Sequence, residues 1–156
     1  METGRGLRPG AIMAALSALF AAPLIAAPTD IVATRVAGFR EVGAAFKNIN
    51  DELKSGTPQL YVIQISARQV RDYARQQQGW FPAGSGPKPG VKTAAKAEIW
   101  TQAAAFKSAQ DGFSAQAGAF ASVAATGDVA KIRVAAKTLG QSCATCHRSF
   151  RVEERR

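Results

Sequence analysis

Cys143-Ala144-Thr145-Cys146-His147 carries the densest chemistry in this sequence, and it holds all the cysteine and histidine that the chain has. On a helix, residues three and four apart share a face, so both thiols and the imidazole project together. Two thiols so placed can form thioethers with the two vinyl groups of a haem while the adjacent imidazole reaches the iron, which is the c-type attachment pattern. Two other chemistries compete for the same residues. A disulfide in a thioredoxin-like role expects a βαβ context, and no stretch of the chain alternates like a strand. A structural zinc ion takes four protein ligands, where two thiols and one imidazole are on offer. One covalent haem c, with His147 as the metal ligand and Cys143 and Cys146 as thioether sites, is therefore the expected cofactor.

Attachment of this kind takes place outside the cytoplasm in bacteria, and the N-terminus fits that need. Arg5 and Arg8 form a positive start, Ala11 to Phe20 is unbroken small and apolar, and Ala21 to Ala27 offers small residues around Pro23 for a signal peptidase. The apolar stretch is about 15 residues, short of the roughly 20 that span a bilayer. Residues 1–27 are thus read as a cleaved leader into the periplasm, and 28–156 as one domain with no membrane span. Both methionines, Met1 and Met13, leave with the leader. With no methionine and no second histidine remaining, His147 alone should hold the iron, unless a lysine amine, water or an external molecule takes the sixth site.

Four segments have the periodicity of helices that could position this motif. The first, from about Asp30 to Lys54 with Thr29 or Asp30 as its cap, places Val32, Val36, Phe39, Val42, Phe46, Ile49 and Leu53 on one stripe. A second, from Gln59 to Gln78, uses Leu60, Ile63, Ala67, Val70 and Tyr73 or Ala74. The stretch 80–90 contains three Pro and three Gly, which forbid regular structure and mark an intradomain crossover. A third helix is expected from Thr93 to Ala125, with Ile99, Trp100, Ala103, Phe106, Phe113, Ala117 and Phe120 inside. The last, capped by Asp128 and running to Arg151, turns Ile132, Leu139, Cys143, Cys146 and Phe150 inward. Short turns at Gly56 and Gly127 with one long crossover give an all-α, antiparallel four-helix bundle with the haem on the C-terminal helix.

Composition agrees and adds one deficit. Hydrophobic residues make up 47%, yet 32 of them are Ala, so large aliphatic side chains are scarce and the core is thin. A covalently held porphyrin would supply the missing volume. The formal charge of +9 comes from Lys and Arg spread over every helix without aromatic interleaving. That pattern suits solubility and acidic partners and argues against nucleic acid.

In order and spacing these residues resemble the cytochromes c', the class II c-type cytochromes, over nearly all of the chain after the leader. The elements are Arg35, Phe39, Gly43 and Phe46; Trp80-Phe81-Pro82-Ala83-Gly84-Ser85-Gly86; Ala97-Glu98-Ile99-Trp100 with Phe106; and Leu139 to Arg151 around the motif. The resemblance implies a left-handed bundle, periplasmic location, frequent homodimers and a high-spin haem open to NO or CO. It places Arg35 near the haem propionates, Phe39 over the empty iron face, Glu98 at the haem edge, and Arg151 beside the proximal imidazole. Ordinary helix charges are the alternative for Arg35, Glu98 and Arg151, and plain packing for Phe39. Val36 departs from the Gln common in the family, and Phe39 is bulkier than the Leu or Met of some relatives and cannot bind iron. The expected function is gas binding, one-electron transfer, or both, with a peroxidase disfavoured: no second His exists, and Asp51 and Glu52 lie three turns beyond Phe39. Pairing of the first two helices would make the homodimer, and a redox protein, acidic by charge complementarity, would be the other partner.

Overall fold

A computed structural model describes Met1 and residues 28–153, so the leader read into 1–27 lies outside the described residues except for Met1. The helices are α1 (Pro28–Lys54), α2 (Leu60–Gln76) with a 3-10 turn at Gln77–Gly79, α3 (Glu98–Thr101), α4 (Ala103–Ala125) and α5 (Val129–Phe150). Short α3 leads into α4, so the bundle has four long members. The described residues contain no strand, only one isolated bridge between Ala95 and Arg151.

Local signals placed most boundaries. Gly127 takes a positive φ of 73° at the α4–α5 turn, where a glycine costs nothing. Asp128 then accepts a hydrogen bond from the Lys131 N–H at 3.1 Å, the expected cap. Helix α1 begins earlier than its expected cap, at Pro28, whose fixed φ and missing N–H suit a first turn. Thr29 and Asp30 therefore lie inside it.

The largest departure concerns the third helix, which starts at Glu98 rather than Thr93 and is broken at Gln102, where φ and ψ are −120° and 46°. The backbone just before it is taken by the end of α5. Lys96 N–H donates to the Phe150 carbonyl at 3.0 Å, and Val152 N–H donates to that of Ala94 at 2.8 Å. These non-local bonds satisfy groups that a local helix would otherwise have paired. They also stop α5 at Phe150, leaving Arg151 extended. Ala103, expected inside, is exposed, and Trp100 is only half-buried.

Cross-helix bonds fix the directions. Ser114 donates to the Ala74 carbonyl at 2.6 Å and Gln64 to that of Ala124 at 3.3 Å, so α2 and α4 run antiparallel. Gln69 donates to Glu41 and the Gln59 N–H to Glu52, so α1 and α2 do likewise. Helix α1 packs on α2, α2 on α4, and α4 on α5, whereas α1 and α5 touch only lightly. Ile49, Ile63, Phe120, Ile132 and Leu139 are fully buried in the main core. Buried alanines such as Ala67, Ala74, Ala117 and Ala124 let the helices approach closely. A second, smaller cluster of Ile99, Phe106 and Phe150 lies under the crossover.

Candidate functional site

The motif lies where the bundle is least closed. Between α1 and α5, Phe46 approaches Gly140 so nearly that a Cβ there would stand 3.3 Å from its ring. Seven residues back along α1 is Phe39, and seven residues on along α5 is His147. The two helices run antiparallel, so both steps go the same way, about 10 Å at the helical rise. This register sets Phe39 and His147 at one level of the opening. Val36, Phe39 and Phe46 form a stripe on α1 that is only half-covered, as are Cys143 and Cys146 on α5.

Both cysteines are free, and they divide between the two clusters. Cys143 packs against the main core and Cys146 against Ile99, Phe106 and Phe150. Burial pushes both thiols above their ordinary value, with the neighbouring Cys143 adding to the rise at Cys146. His147 is exposed at the opening, yet partial desolvation by its neighbours and then the charge of Arg151 hold its imidazole below the usual range. Both effects favour a neutral ring whose lone pair can ligate a metal. Among the described residues no three His, Cys, Asp or Glu side chains are grouped to hold a bare metal ion.

The other expected site residues sit at the same end of the bundle but do different things. Arg35 is 3% exposed and works as a clamp on the crossover. One terminal nitrogen donates to the Trp80 carbonyl and Ser85 Oγ at 3.3 and 3.4 Å, the other to the Ser85 carbonyl and Thr93 Oγ1 at 3.1 and 3.0 Å. Its guanidinium also lies 4.7 Å from the Phe81 ring centroid and 5.8 Å from that of Trp100. These contacts offset the cost of burying a cation. Burial still draws its pKa below the ordinary arginine value. Glu98 is exposed on the first turn of α3. The N–H of Arg151 donates to the His147 carbonyl at 2.9 Å, which ties it to the ligand's own turn.

Sequence reasoning missed Trp80 as a site residue. The indole is buried from the crossover side against Gly38, where a Cβ would fall 2.1 Å from its ring. It meets Phe39 edge to face, and Phe81 lies 6.1 Å from Phe39 by centroids. From Phe81 the contacts continue through Phe106 at 4.7 Å to Phe150, a further 5.1 Å. A glycine in mid-helix just before Phe39, costly for helix stability, was the signal of a close approach.

An opening walled by half-covered apolar side chains, with two neutral thiols one turn apart and a neutral imidazole beside them, fits a covalently held porphyrin. Cys143 and Cys146 would form the thioethers and His147 the bond to iron. Comparison with known proteins agrees. The family model described as Cytochrome C' matches residues 30–151. The chain is 32% identical over 130 residues to the cytochrome c' of Rhodopseudomonas palustris, covering 82% of this chain and 86% of that one. It is similar to the structure of cytochrome c prime from Shewanella frigidimarina, with a TM-score of 0.75 and 28% identity over 83% of this chain and 99% of that one. It is likewise similar to a nitric oxide complex of a point mutant of cytochrome c prime from Alcaligenes xylosoxidans, with a TM-score of 0.74 and 25% identity over 83% and 99% of the two chains. The chain belongs to the cytochrome c' family, c-type cytochromes of electron transport that carry covalent haem c within a four-helix bundle.

Proposed function

We propose that this cytochrome is exported to the periplasm and binds a diatomic gas, nitric oxide above all, at an iron held by His147 alone. Bound haem supplies an iron that can take a gas ligand or exchange one electron. The protein's part is to set Phe39, which has no ligating atom, at the level of His147 and so to control access there. The observation that carries the reading is Phe39, level with His147 and backed by Trp80 and Phe81. Among the described residues the side chain set opposite His147 is Phe39, a hydrocarbon ring that can neither donate a hydrogen bond to dioxygen nor act as a base in peroxide chemistry. Neutral ligands with intrinsic affinity for ferrous iron gain most from such a pocket. The nitric oxide complex solved for the Alcaligenes relative supports the choice of ligand.

Within this reading Arg35 is a positioning residue that holds the crossover, and with it Trp80 and Phe81, behind Phe39. Arg151 adds its charge to the desolvation that keeps the His147 imidazole neutral. Glu98 contributes exposed charge at the haem end. Among the described residues Phe39 is not accompanied at this face by a histidine or a carboxylate suited to acid-base catalysis, which supports a binding and electron-carrying protein rather than an enzyme. The leader-like residues 1–27 support export. Among the described residues no helix is long and apolar enough to cross a membrane. Tyr61 and Ile65, one turn apart on α2, leave large apolar surface exposed, with Tyr61 at 71%. They support a homodimer paired through α1 and α2.

Visible spectra of the ferric and ferrous protein with and without CO, followed by stopped-flow mixing with NO, test the reading. The expected result is a high-spin ferric spectrum near neutral pH and a ferrous form that binds both gases. A low-spin ferric spectrum without added ligand would overturn it. Faster electron exchange with an acidic redox protein than with a basic one would in turn support the electron-carrying role.

A further inference from the structure

We propose that the groove between α2 and α4 is a binding site for a phosphate-bearing anion. It is an open groove of about 420 Å3, and Arg68, Arg71 and Arg75 line it together. Their spacing, with Gln64 one turn earlier, is that of a single helical stripe, so three arginines border one groove instead of being spread around α2. The Cα atoms of Arg68 and Arg75 are about 10 Å apart along the axis, within the reach of two long side chains converging on one group.

The opposite wall carries no charge: Gly118, Ala121, Ser122 and Ala125 of α4 line the groove with small side chains, and that helix's Asp111, beyond its Arg75 end, is occupied by Lys107 and Gln78. Ser122 donates to the Gly118 carbonyl at 3.2 Å and Gln64 to that of Ala124, so the groove's charged donors are the guanidiniums. The acidic group beside them is Asp72, which accepts from Arg71 Nε at 2.9 Å and is also held below the usual carboxylate range by Arg75 and Arg68. Three cations against one carboxylate leave a net positive groove, and Arg71 keeps its terminal nitrogens for a ligand.

The guanidinium fork matches phosphate oxygens in pairs, and a dianion answers more than one of the three arginines. The volume exceeds that of one tetrahedral anion, and the alanine floor accepts an apolar body. The ligand is therefore a phosphate ester, either a soluble phosphate compound or a phospholipid headgroup. The α2–α4 groove lies across the bundle from the α1–α5 opening, so occupancy should leave the haem spectrum unchanged.

The test uses the haem-loaded protein at low ionic strength, where surface electrostatics are least screened. Calorimetric titration with pyrophosphate is run on the native protein, on the Arg68→Gln/Arg75→Gln variant, and on an Arg133→Gln/Lys137→Gln control that removes two charges from α5. Flotation with phosphatidylglycerol vesicles, against phosphatidylcholine, is run on the same three. Binding that weakens about tenfold or more in the groove variant, about twofold or less in the control, with identical Soret bands in all three, upholds the site. Arginine-dependent binding of pyrophosphate alone assigns a soluble phosphate, and arginine-dependent binding of phosphatidylglycerol vesicles assigns a headgroup. Equal losses in both variants, no binding of either probe, or tighter arginine-dependent binding of a polyglutamate of matched charge would each overturn the proposal.

Discussion

Phe39 and Trp80 meet edge to face, with ring centroids 5.0 Å apart and planes at 85°. One ring comes from α1 and the other from the crossover, and Gly38 makes their contact possible by presenting no Cβ to the indole. The side chain proposed to cover the iron is thus braced from behind by a residue 41 positions away in sequence.

Replacing Phe39 by Ala should open the face it covers. CO association with the ferrous protein is expected to rise about tenfold or more, equivalent to removing about 1.4 kcal/mol of barrier. Flash photolysis measures the rate directly, and a value within about twofold of the native one would remove Phe39 from the role.

Gly38→Ala tests the brace. The new Cβ would fall 2.1 Å from Cη2 and 2.4 Å from Cζ2 of Trp80, so the ring must move. Overpacking of this kind costs ~1–3 kcal/mol, read as a lower urea midpoint. The same variant should change the CO association rate, since Phe39 loses its support. Native stability in this variant would show that Trp80 has room the structure does not display.

Arg35→Met removes donors from two carbonyl oxygens and two hydroxyls of residues 80–93 at once. A loss of ~1–3 kcal/mol is expected, together with faster amide exchange in the crossover. Arg35→Lys should recover only part of it, because one ammonium cannot bridge the separate acceptors that the planar guanidinium spans.

Asp128 gives a pH signature. Its carboxyl is held below the ordinary value mainly by the Lys131 backbone N–H, so folding favours the ionised form. The contribution is complete above the unfolded carboxylate pKa and fades as pH falls through the lower folded one. Asp128→Asn keeps an acceptor oxygen without the charge. The drop in urea midpoint between neutral pH and pH ~3 should therefore be smaller in the variant, although Asp72 and Asp111, also held low by ion pairs, preserve some acid sensitivity in both. An equal drop would show that the cap adds no pH dependence.

A haem-free Cys143→Ala/Cys146→Ala variant should loosen at one end only. The thin core inferred from composition is concentrated around the opening, whereas Ile49, Ile63, Ile132 and Leu139 are buried in a cluster that the motif touches only through the half-buried Cys143. Hydrogen exchange should show lost protection over 143–150 and the crossover, with protection kept beside those four residues. Uniform protection matching the haem protein would contradict the proposed structural role of haem.

Much of this protein was legible in its sequence. The CxxCH motif, the stripe through Ile49 and Leu53, the stripe through Ile132 and Leu139, and the Gly127-Asp128 turn all depend on residues within a turn or two of each other. Local stereochemistry and the 3.6-residue period therefore determine them. What only the tertiary structure decided involves partners far apart in sequence. Arg35, which the family resemblance placed at the propionates, has its terminal nitrogens on residues 80–93. The third helix starts late because the end of α5 captures the backbone of Ala94 and Lys96. Trp80 is seated by a glycine on another helix, and the three arginines of α2 become a groove only where α4 supplies a small-residue wall. Helical periodicity specifies which face of a segment is apolar, but which faces meet, and which buried polar groups find partners across the meeting, is settled by packing the whole chain at once.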